Sequence, residues 1–343
     1  MNVSETVSDP VVSIVIPSFN REHYIRETLD SVSEQTRTDW ECIIVDDGST
    51  DDSIEIAQEY AARDERFRLL TRSRTPKGAC TCRNIGVAQA RGAYLIFLDT
   101  DDLLEPFCVE NRVAIMEDGA ERDFAIFPSV LFEKEPDDLG LWWNVDKPVA
   151  EITRQLYQDA ICQGTGVIWK TCSFVALGQW DENLHLWQDI ELFLRAYLAD
   201  LKYTKHFDLP PDLQVRRLES SLSRENVFSL PKLESRVAVV TRAANLMKTN
   251  GKQKFLSELK YLTAETITGL VRANSFVQAK GLIKWAYRER IFNRDEYLRM
   301  IAYKWLHKLR LIKVAPIESW KDRMMKEFSG PDSTLGKIKY VSN

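Results

Sequence analysis

Four short apolar runs, at residues 11–16, 41–45, 67–70 and 94–98, recur through the first hundred residues, with helix-spaced stretches between them. A run of four to six residues that is apolar almost throughout must be covered on both faces, unlike the alternating pattern of a half-exposed strand. Between the runs, Ile25, Leu29 and Val32 repeat at helical spacing, and residues 54–62 and 78–90 also read as helices. Buried strands alternating with helices leave one economical arrangement: a mostly parallel sheet flanked by helices on both faces, an α/β fold. A further helix is expected over 187–199, and Pro210-Pro211 marks a break.

Sheets of this kind bind ligands beyond the C-terminal ends of their strands. Three strand ends carry polar clusters: Pro17-Ser18-Phe19-Asn20, Asp46-Asp47-Gly48-Ser49 and Asp99-Thr100-Asp101-Asp102. They are expected at one edge. No Gly-x-Gly-x-x-Gly follows the first strand and no Gly-x-x-x-x-Gly-Lys-Ser/Thr occurs, which argues against a dinucleotide-binding dehydrogenase and a P-loop NTPase. Three carboxylates in four residues repel one another unless a cation or solvent relieves them. Mg²⁺ or Mn²⁺ would suit them and leave positions for diphosphate oxygens. A solvated acidic turn, or a helix cap ahead of Leu103-Leu104-Glu105-Pro106, is the alternative.

Five segments in order give the chain its resemblance. They are Val12-Ser13-Ile14-Val15-Ile16-Pro17-Ser18-Phe19-Asn20, Ile44-Val45-Asp46-Asp47-Gly48-Ser49-Thr50-Asp51, Arg83-Asn84-Ile85-Gly86, Asp99-Thr100-Asp101-Asp102 and Trp187-Gln188-Asp189-Ile190-Glu191-Leu192-Phe193-Leu194-Arg195. Over about residues 11–225 the sequence resembles the family 2 glycosyltransferases, inverting nucleotide-sugar-dependent enzymes with the GT-A nucleotide-diphospho-sugar transferase fold. The resemblance implies nucleotide-binding residues Pro17, Phe19, Asp47, Arg83 and Asp99, with Asp47 accepting the imide N–H of uracil and Phe19 lying against the base. It implies Asp101 and Asp99 as ligands of Mn²⁺ or Mg²⁺, and Asp189 as the catalytic base. Asp102, Trp187, Gln188 and Arg216 are implied as acceptor or diphosphate contacts. Each has a plainer alternative: a core Phe19, a surface Arg83, a helix-capping Asp189.

Two departures from the family pattern stand out. The usual Glu-Asp pair is Gln188-Asp189 here, so the carboxylate matching the base is the one kept. The Tyr-Arg-x-His-x-x-Ser-x-Ser stretch of many relatives aligns with Val215-Arg216-Arg217-Leu218-Glu219-Ser220-Ser221-Leu222-Ser223, placing Leu218 where the His would fall. A metal or diphosphate ligand is then lost, and Arg216 or Arg217 would supply charge instead.

The charge divides the chain. Residues 1–230 carry 23 Lys+Arg against 41 Asp+Glu, a net −18, whereas residues 231–343 carry 23 against 10, a net +13. Beyond about 230 the pattern is helical only, with helices expected over 231–248, 253–272, 274–288 and 293–312. The domains are expected at 1–228, the GT-A domain, and 229–343, an all-α basic C-terminal region. Its Trp285, Ile301, Trp305 and Leu309 are interleaved with Lys284, Lys304 and Lys308. That pattern suits either helices packed on one another or a peripheral contact with an anionic membrane; no nucleic-acid motif occurs. Six cysteines without a Cys-x-x-Cys pair and only four histidines argue against zinc and for a reducing compartment. The polar start of the chain does not read as a secretory signal, and no run is long and apolar enough to span a bilayer.

The expected function is inverting transfer of a sugar, hexosyl or N-acetylhexosaminyl, from a nucleotide-diphosphate donor, UDP-linked by preference. The acceptor would be a hydroxyl of a saccharide or lipid-linked saccharide in surface polysaccharide assembly. The setting is expected to be cytoplasmic, with a peripheral place at the inner face of the membrane. The alternatives are a catalytically silent nucleotide-sugar-binding scaffold and a nucleotidyltransferase, whose Gly-rich basic loop is not visible.

Overall fold

In the computed structural model, residues 9–218, 226–313 and 315–328 are described. The expected Glu219–Ser223 part of the departed motif lies outside them. The alternation seen in the sequence is realised as β1 (Val12–Ser18), α1 (Ile25–Ser33), β2 (Trp40–Asp46), α2 (Ser53–Arg63), β3 (Phe67–Thr71), α3 (Ala79–Gln89) and β4 (Tyr94–Phe97). The chain continues through β5 (Leu103–Leu104), α4 (Cys108–Met116), β6 (Phe124–Ile126), β7 (Ser129–Phe132), β8 (Leu141–Trp142) and α5 (Glu151–Leu156). β9 (Val167–Lys170), α6 (Thr171–Leu177), α7 (Gln188–Leu198), β10 (Tyr203–Lys205) and β11 (Leu213–Arg216) follow.

Seven strands make one sheet in the order β10-β6-β9-β4-β1-β2-β3. β1 pairs in parallel with β2 and β4, and β2 with β3. β9 is the antiparallel member, between β4 and β6. Side chains of β1 alternate between two layers. Ile14 and Ile16 face Leu29, Ile56 and Val113 of α1, α2 and α4, while Val15 faces Cys80, Val87 and Phe174 of α3 and α6 and Leu192 of α7. The contact on that second side is close: a Cβ at Gly86 would overlap Cγ1 of Val15, so only glycine lets α3 lie this near the sheet.

A four-stranded sheet, β5-β11-β7-β8, was not foreseen. Its strands are two to four residues long, too short to show periodicity. Leu103-Leu104 does not open a helix; it pairs antiparallel with Leu213 and Gln214 of β11. Arg112 of α4, fully buried, links the two sheets: its Nε and a terminal nitrogen each donate to Asp212 at 2.7 Å, and its other nitrogen donates to the Thr165 carbonyl at 2.8 Å.

Beyond residue 228 the described chain is helical, as expected: α8 (Leu230–Thr249), α9 (Lys260–Arg272), α10 (Phe276–Arg288), α11 (Arg294–Lys308) and α12 (Ala315–Phe328). Three boundaries differ from the sequence reading. The helix expected from 253 starts at Lys260, because residues 252–259 follow i→i+3 bonds that bring both Phe255 and Leu259 into the core. Asn274, at φ 59°, delays α10, and Arg310, at φ 60°, ends the run expected to reach 312. The helices do not close a core of their own: Leu233, Val240 and Ile267 share a cluster with Leu156 of α5 and with Leu194 and Leu198 of α7. A boundary at 228/229 is thus a proposal about sequence units, across which packing is continuous.

Removing one partner of a buried ion pair strands the other. Asp212→Ala is expected to destabilise the protein by about 3–5 kcal/mol, read as a lowered urea midpoint. An unchanged midpoint would mean that Arg112 finds enough partners without the carboxylate.

Candidate active site

Because β1, β2 and β4 run parallel, their C-terminal ends open on the same edge, and there the three polar clusters meet. Residues after these strands, the start of α3, the start of α7 and the beginning of the C-terminal helices enclose a cavity of about 800 Å³. Pro17, Phe19, Asp47, Arg83, Asp99, Asp101, Trp187, Gln188 and Asp189 all line it, so nine of the residues singled out from the sequence are brought together.

The two loops from β1 and β2 are fastened to one another. Asn20 accepts from the Thr50 amide at 2.9 Å, and its own amide donates to Ser49 Oγ at 3.0 Å. Asp46 accepts from the Gly48 and Ser49 amides at 2.8 and 3.0 Å, holding a turn in which Gly48 takes φ 87°. Asp46 is thereby occupied, and its neighbour Asp47 faces the cavity, with one carboxylate oxygen held by Arg72 Nε. Phe19 is half-buried rather than a core residue, and the Lys77 ammonium lies 3.5 Å from its ring centroid.

Arg83 is buried on α3, not on the surface. It donates to Asp99 at 2.6 Å and lies over the Trp180 ring at 4.7 Å. The adjacent Asn84 is a lock: its amide group exchanges bonds with the Trp180 backbone at 2.9 and 3.1 Å. Asp101 has no such ion pair among the described residues, and burial together with the neighbouring Asp99 charge pushes its pKa up to about 6 against the opposing charges of Arg21 and Arg216.

Asp189 sits in the first turn of α7 and accepts from the Gly164 amide at 2.9 Å. Burial raises its pKa, an effect that the Arg83 charge opposes. Half-buried and held by a backbone amide, it is more than a freely solvated helix cap. Trp187, at φ 63°, turns the chain into α7, and the Arg236 guanidinium lies 5.0 Å from its ring. Gln188 bonds back to the Leu184 carbonyl at 2.7 Å.

Two expected ligand contacts are corrected. Asp102 is buried and does not line the cavity; it accepts from the Arg216 amide at 3.0 Å and lies 3.4 Å from Thr165 Oγ1, fixing β11 to the loop. Arg216 is also turned away. Its Nε donates to the Asp101 carbonyl at 3.0 Å, and its outer nitrogen bonds Glu27. Its charge supports the loop from behind instead of reaching a ligand. Leu218 follows β11, half-buried. Sequence reading missed Arg21, Lys77, Glu182, His185 and Lys232, which also line the cavity. Only the Lys77-Gly78 step before α3 carried a local signal.

Comparison with known proteins agrees with this geometry. Residues 13–175 match the family model described as Glycosyl transferase family 2. Chondroitin synthase of Escherichia coli is 46% identical over 101 residues, 29% of this chain and 14% of that protein. A Bacillus subtilis (strain 168) protein provisionally designated glycosyltransferase EpsH is 38% identical over 150 residues, 44% of this chain and 40% of EpsH. The fold matches S. aureus TarS residues 1–349, solved in complex with UDP-GlcNAc, at a TM-score of 0.58 and 18% identity, covering 85% of this chain and 91% of that one. The family match covers a little under half of the chain, and the likeness to TarS shows the same GT-A-type α/β fold with a helical C-terminal region. The chain spans two fifths or less of the length of these two curated relatives.

The crowding of Asp101 has a measurable cost. A carboxyl that prefers its proton when folded contributes stability below its unfolded pKa, and that stability is lost as pH rises through the folded value. Between pH of about 4 and about 6 the metal-free protein should lose of the order of 1–3 kcal/mol through Asp101. Asp101→Asn should flatten that part of a thermal-unfolding pH profile. Parallel profiles for the two proteins would place the unfavourable charge elsewhere.

Proposed function

We propose that the protein is an inverting glycosyltransferase that moves a sugar from a UDP-linked donor to a hydroxyl of a saccharide or lipid-linked saccharide. The observation that carries this reading is the meeting of Asp47, the Asp99–Asp101 pair and Asp189 around one cavity at the C-terminal edge of the sheet. Supporting it, TarS was solved with UDP-GlcNAc, and the relatives include a synthase named for chondroitin, which fits surface polysaccharide assembly. The reaction is assigned to the cytoplasm, where the free cysteines stay reduced.

Asp47 keeps one carboxylate oxygen for the uracil imide N–H while Arg72 holds the other. Phe19 lies against the base, and Lys77 and Arg83 offer positive charge to the diphosphate. Among the described residues no group of three or more His, Cys, Asp or Glu could form a closed metal cage. The donor set nevertheless fits a hard divalent ion. Asp99 and Asp101 face the cavity, and the Arg21 and Arg216 charges do not offset the burial of Asp101. Asp99 and Asp101 would hold Mg²⁺ or Mn²⁺, which takes oxygen ligands. Such an ion would offset negative charge on the diphosphate; a neighbour of the same fold, the mannosyltransferase PcManGT of Pyrobaculum calidifontis, was solved with GDP-Man and Mn²⁺ (TM-score 0.50, 16% identity, 93% of this chain and 85% of that one).

Asp189 takes the acceptor hydroxyl proton as that oxygen bonds to the anomeric carbon. The bond from that carbon to the diphosphate breaks on the opposite face, the electron pair leaves with UDP, and the anomeric centre inverts. The Gly164 amide fixes one carboxylate oxygen, so the base is oriented before the acceptor arrives. Burial of Asp189 strengthens it as a base by raising its pKa, at the expense of its ionised fraction at low pH.

Calorimetry tests the donor assignment. UDP should bind more tightly than ADP or CDP, and Asp47→Ala should lose about 1.5–3 kcal/mol of UDP affinity through one charge-assisted bond. Equal affinities for UDP and ADP would overturn the role of Asp47.

Turnover tests the base and separates an enzyme from a silent scaffold. Asp189→Asn should lower the rate by about 10²–10⁴ with UDP affinity nearly unchanged. In the wild type the acid limb of the rate profile should lie above the ordinary carboxylate value of about 3.9, because the base form is lost as pH falls through a raised pKa. A wild-type rate in the Asn variant would remove Asp189 from the chemistry.

A further inference from the structure

The outer faces of α10 and α11 combine two features that a packed protein surface normally keeps apart. The first is a group of lysines without counter-charges. Lys280 of α10 and Lys308 of α11 lie close enough to Lys304 that their charges, added to its burial, hold the Lys304 ammonium below its usual range. None of the three has a carboxylate partner among the described ion pairs. The sequence explains why: residues 266–288 and 297–317 contain no Asp or Glu, yet they hold four and five Lys or Arg respectively. The acidic side chains nearest in sequence are occupied, Glu289 with Lys248 and Glu296 with Lys260.

The second feature is exposed apolar surface beside those lysines. Leu298, Trp305 and Leu309 recur at seven- and four-residue steps, a single stripe along α11 about 16 Å long at 1.5 Å per residue. Trp305 is 48% exposed and Leu309 60%. The Trp305 ring centroid lies 4.4 Å from Lys304 Nζ and 5.2 Å from Lys308 Nζ, so aromatic and cationic groups share one patch. Across from it, Phe276 meets His307 with ring centroids 6.4 Å apart. That contact brings Val277, 87% exposed, to the same region one turn before Lys280.

We infer that this face of α10 and α11 is a docking surface for an anionic phospholipid membrane, with Trp305, Leu309 and Val277 entering the interface and the exposed Lys280 and Lys308 meeting the headgroups, while Lys304 lies buried behind them. The occupant follows from chemistry. A second copy joined across a two-fold axis would set the lysine cluster against itself, because such an interface uses the same patch on both partners. A soluble polyanion would satisfy the lysines and leave the apolar stripe in water. An anionic bilayer surface accepts both: the charges at the headgroup level, and the indole and aliphatic groups just below it. No described helix is long and apolar enough to cross a membrane, so the contact lies on the surface. The inference stands apart from the transferase reading, since it uses none of the cavity residues.

Vesicle flotation of the full chain is the test. Vesicles of phosphatidylcholine alone are compared with vesicles containing phosphatidylglycerol, at about 0.01 M and about 1 M salt, where the Debye length is roughly 30 and 3 Å. Binding is expected only to the anionic vesicles and only at low salt. Lys280→Gln with Lys308→Gln should weaken it about 30-fold, or roughly fivefold per lysine. Trp305→Ser with Leu309→Ser should weaken it by about tenfold or more through lost apolar burial. UDP affinity, measured on the same preparations, reports whether the fold and cavity are intact. Failure to bind anionic vesicles at low salt would overturn the inference, whatever UDP does. So would binding that the Trp305 and Leu309 changes leave untouched, which would identify a polyanion in place of a membrane.

Discussion

Parallel pairing of β1 with β2 and β4 is the constraint on which the site depends. It fixes three strand ends on one edge, and each brings carboxylates: Asp46 and Asp47, then Asp99, Asp101 and Asp102. Five acidic side chains on one edge repel one another unless each is given a partner. The fold distributes them. Asp46 is absorbed by turn amides, Asp47 by Arg72, Asp99 by Arg83, and Asp102 by the Arg216 amide. Burial still pushes the carboxyls of both Asp101 and Asp102 up, Asp102 the further, because the Arg21 and Arg216 charges do not offset the burial of Asp101 and a backbone amide does not offset that of Asp102. Of these two, Asp101 is the one that faces the cavity, where a ligand can reach it.

The C-terminal helices bear on the same site from the other side. Arg242 of α8 bonds both Glu191 of α7 and Asp181 in the loop ahead of it, at 2.6 and 2.7 Å. Ser235 accepts from the His185 amide at 2.9 Å, and Arg236 lies over Trp187. Trp187 needs such support, because a bulky residue at positive φ is strained. These contacts fix where α7 begins, and with it the position of Asp189. The helical region is thus part of what orients the proposed base, besides carrying an outer face of its own.

The sequence made some of this legible and hid the rest for physical reasons. The large sheet announced itself, since buried parallel strands read as unbroken apolar runs such as Ile14-Val15-Ile16. Asp47, Asp99 and Asp189 could be named because each belongs to a local motif. The small sheet stayed invisible: Leu103-Leu104 has no periodicity to display, and it becomes a strand only because β11 arrives beside it. Asp102 and Arg216 were misplaced for a related cause. Adjacent residues in a tight loop point in different directions, and sequence proximity to Asp101 says nothing about which carboxylate turns inward. His185 and Lys232 reach the cavity through tertiary packing alone. The helix ends moved where Asn274 and Arg310 take left-handed conformations, a region that Asn tolerates well but that nothing about Arg310 announces.

The two opposite charges of the chain acquire a common meaning in three dimensions. At the sheet edge, carboxylates are crowded against their own kind; on α10 and α11, lysines are. Self-repulsion of either sort lowers the stability of the free protein, and each would be relieved by a ligand of the other sign. A divalent ion with its diphosphate would relieve the first, and an anionic surface the second. Binding of either ligand would then release strain that the fold holds in its absence, so each should raise the stability of the protein by more than its contacts alone account for. The acidic body disfavours approach of its own surface to an anionic bilayer. On the proposed contact, a basic face on one side of an acidic protein would set orientation as well as attachment, with the helical region nearest the surface.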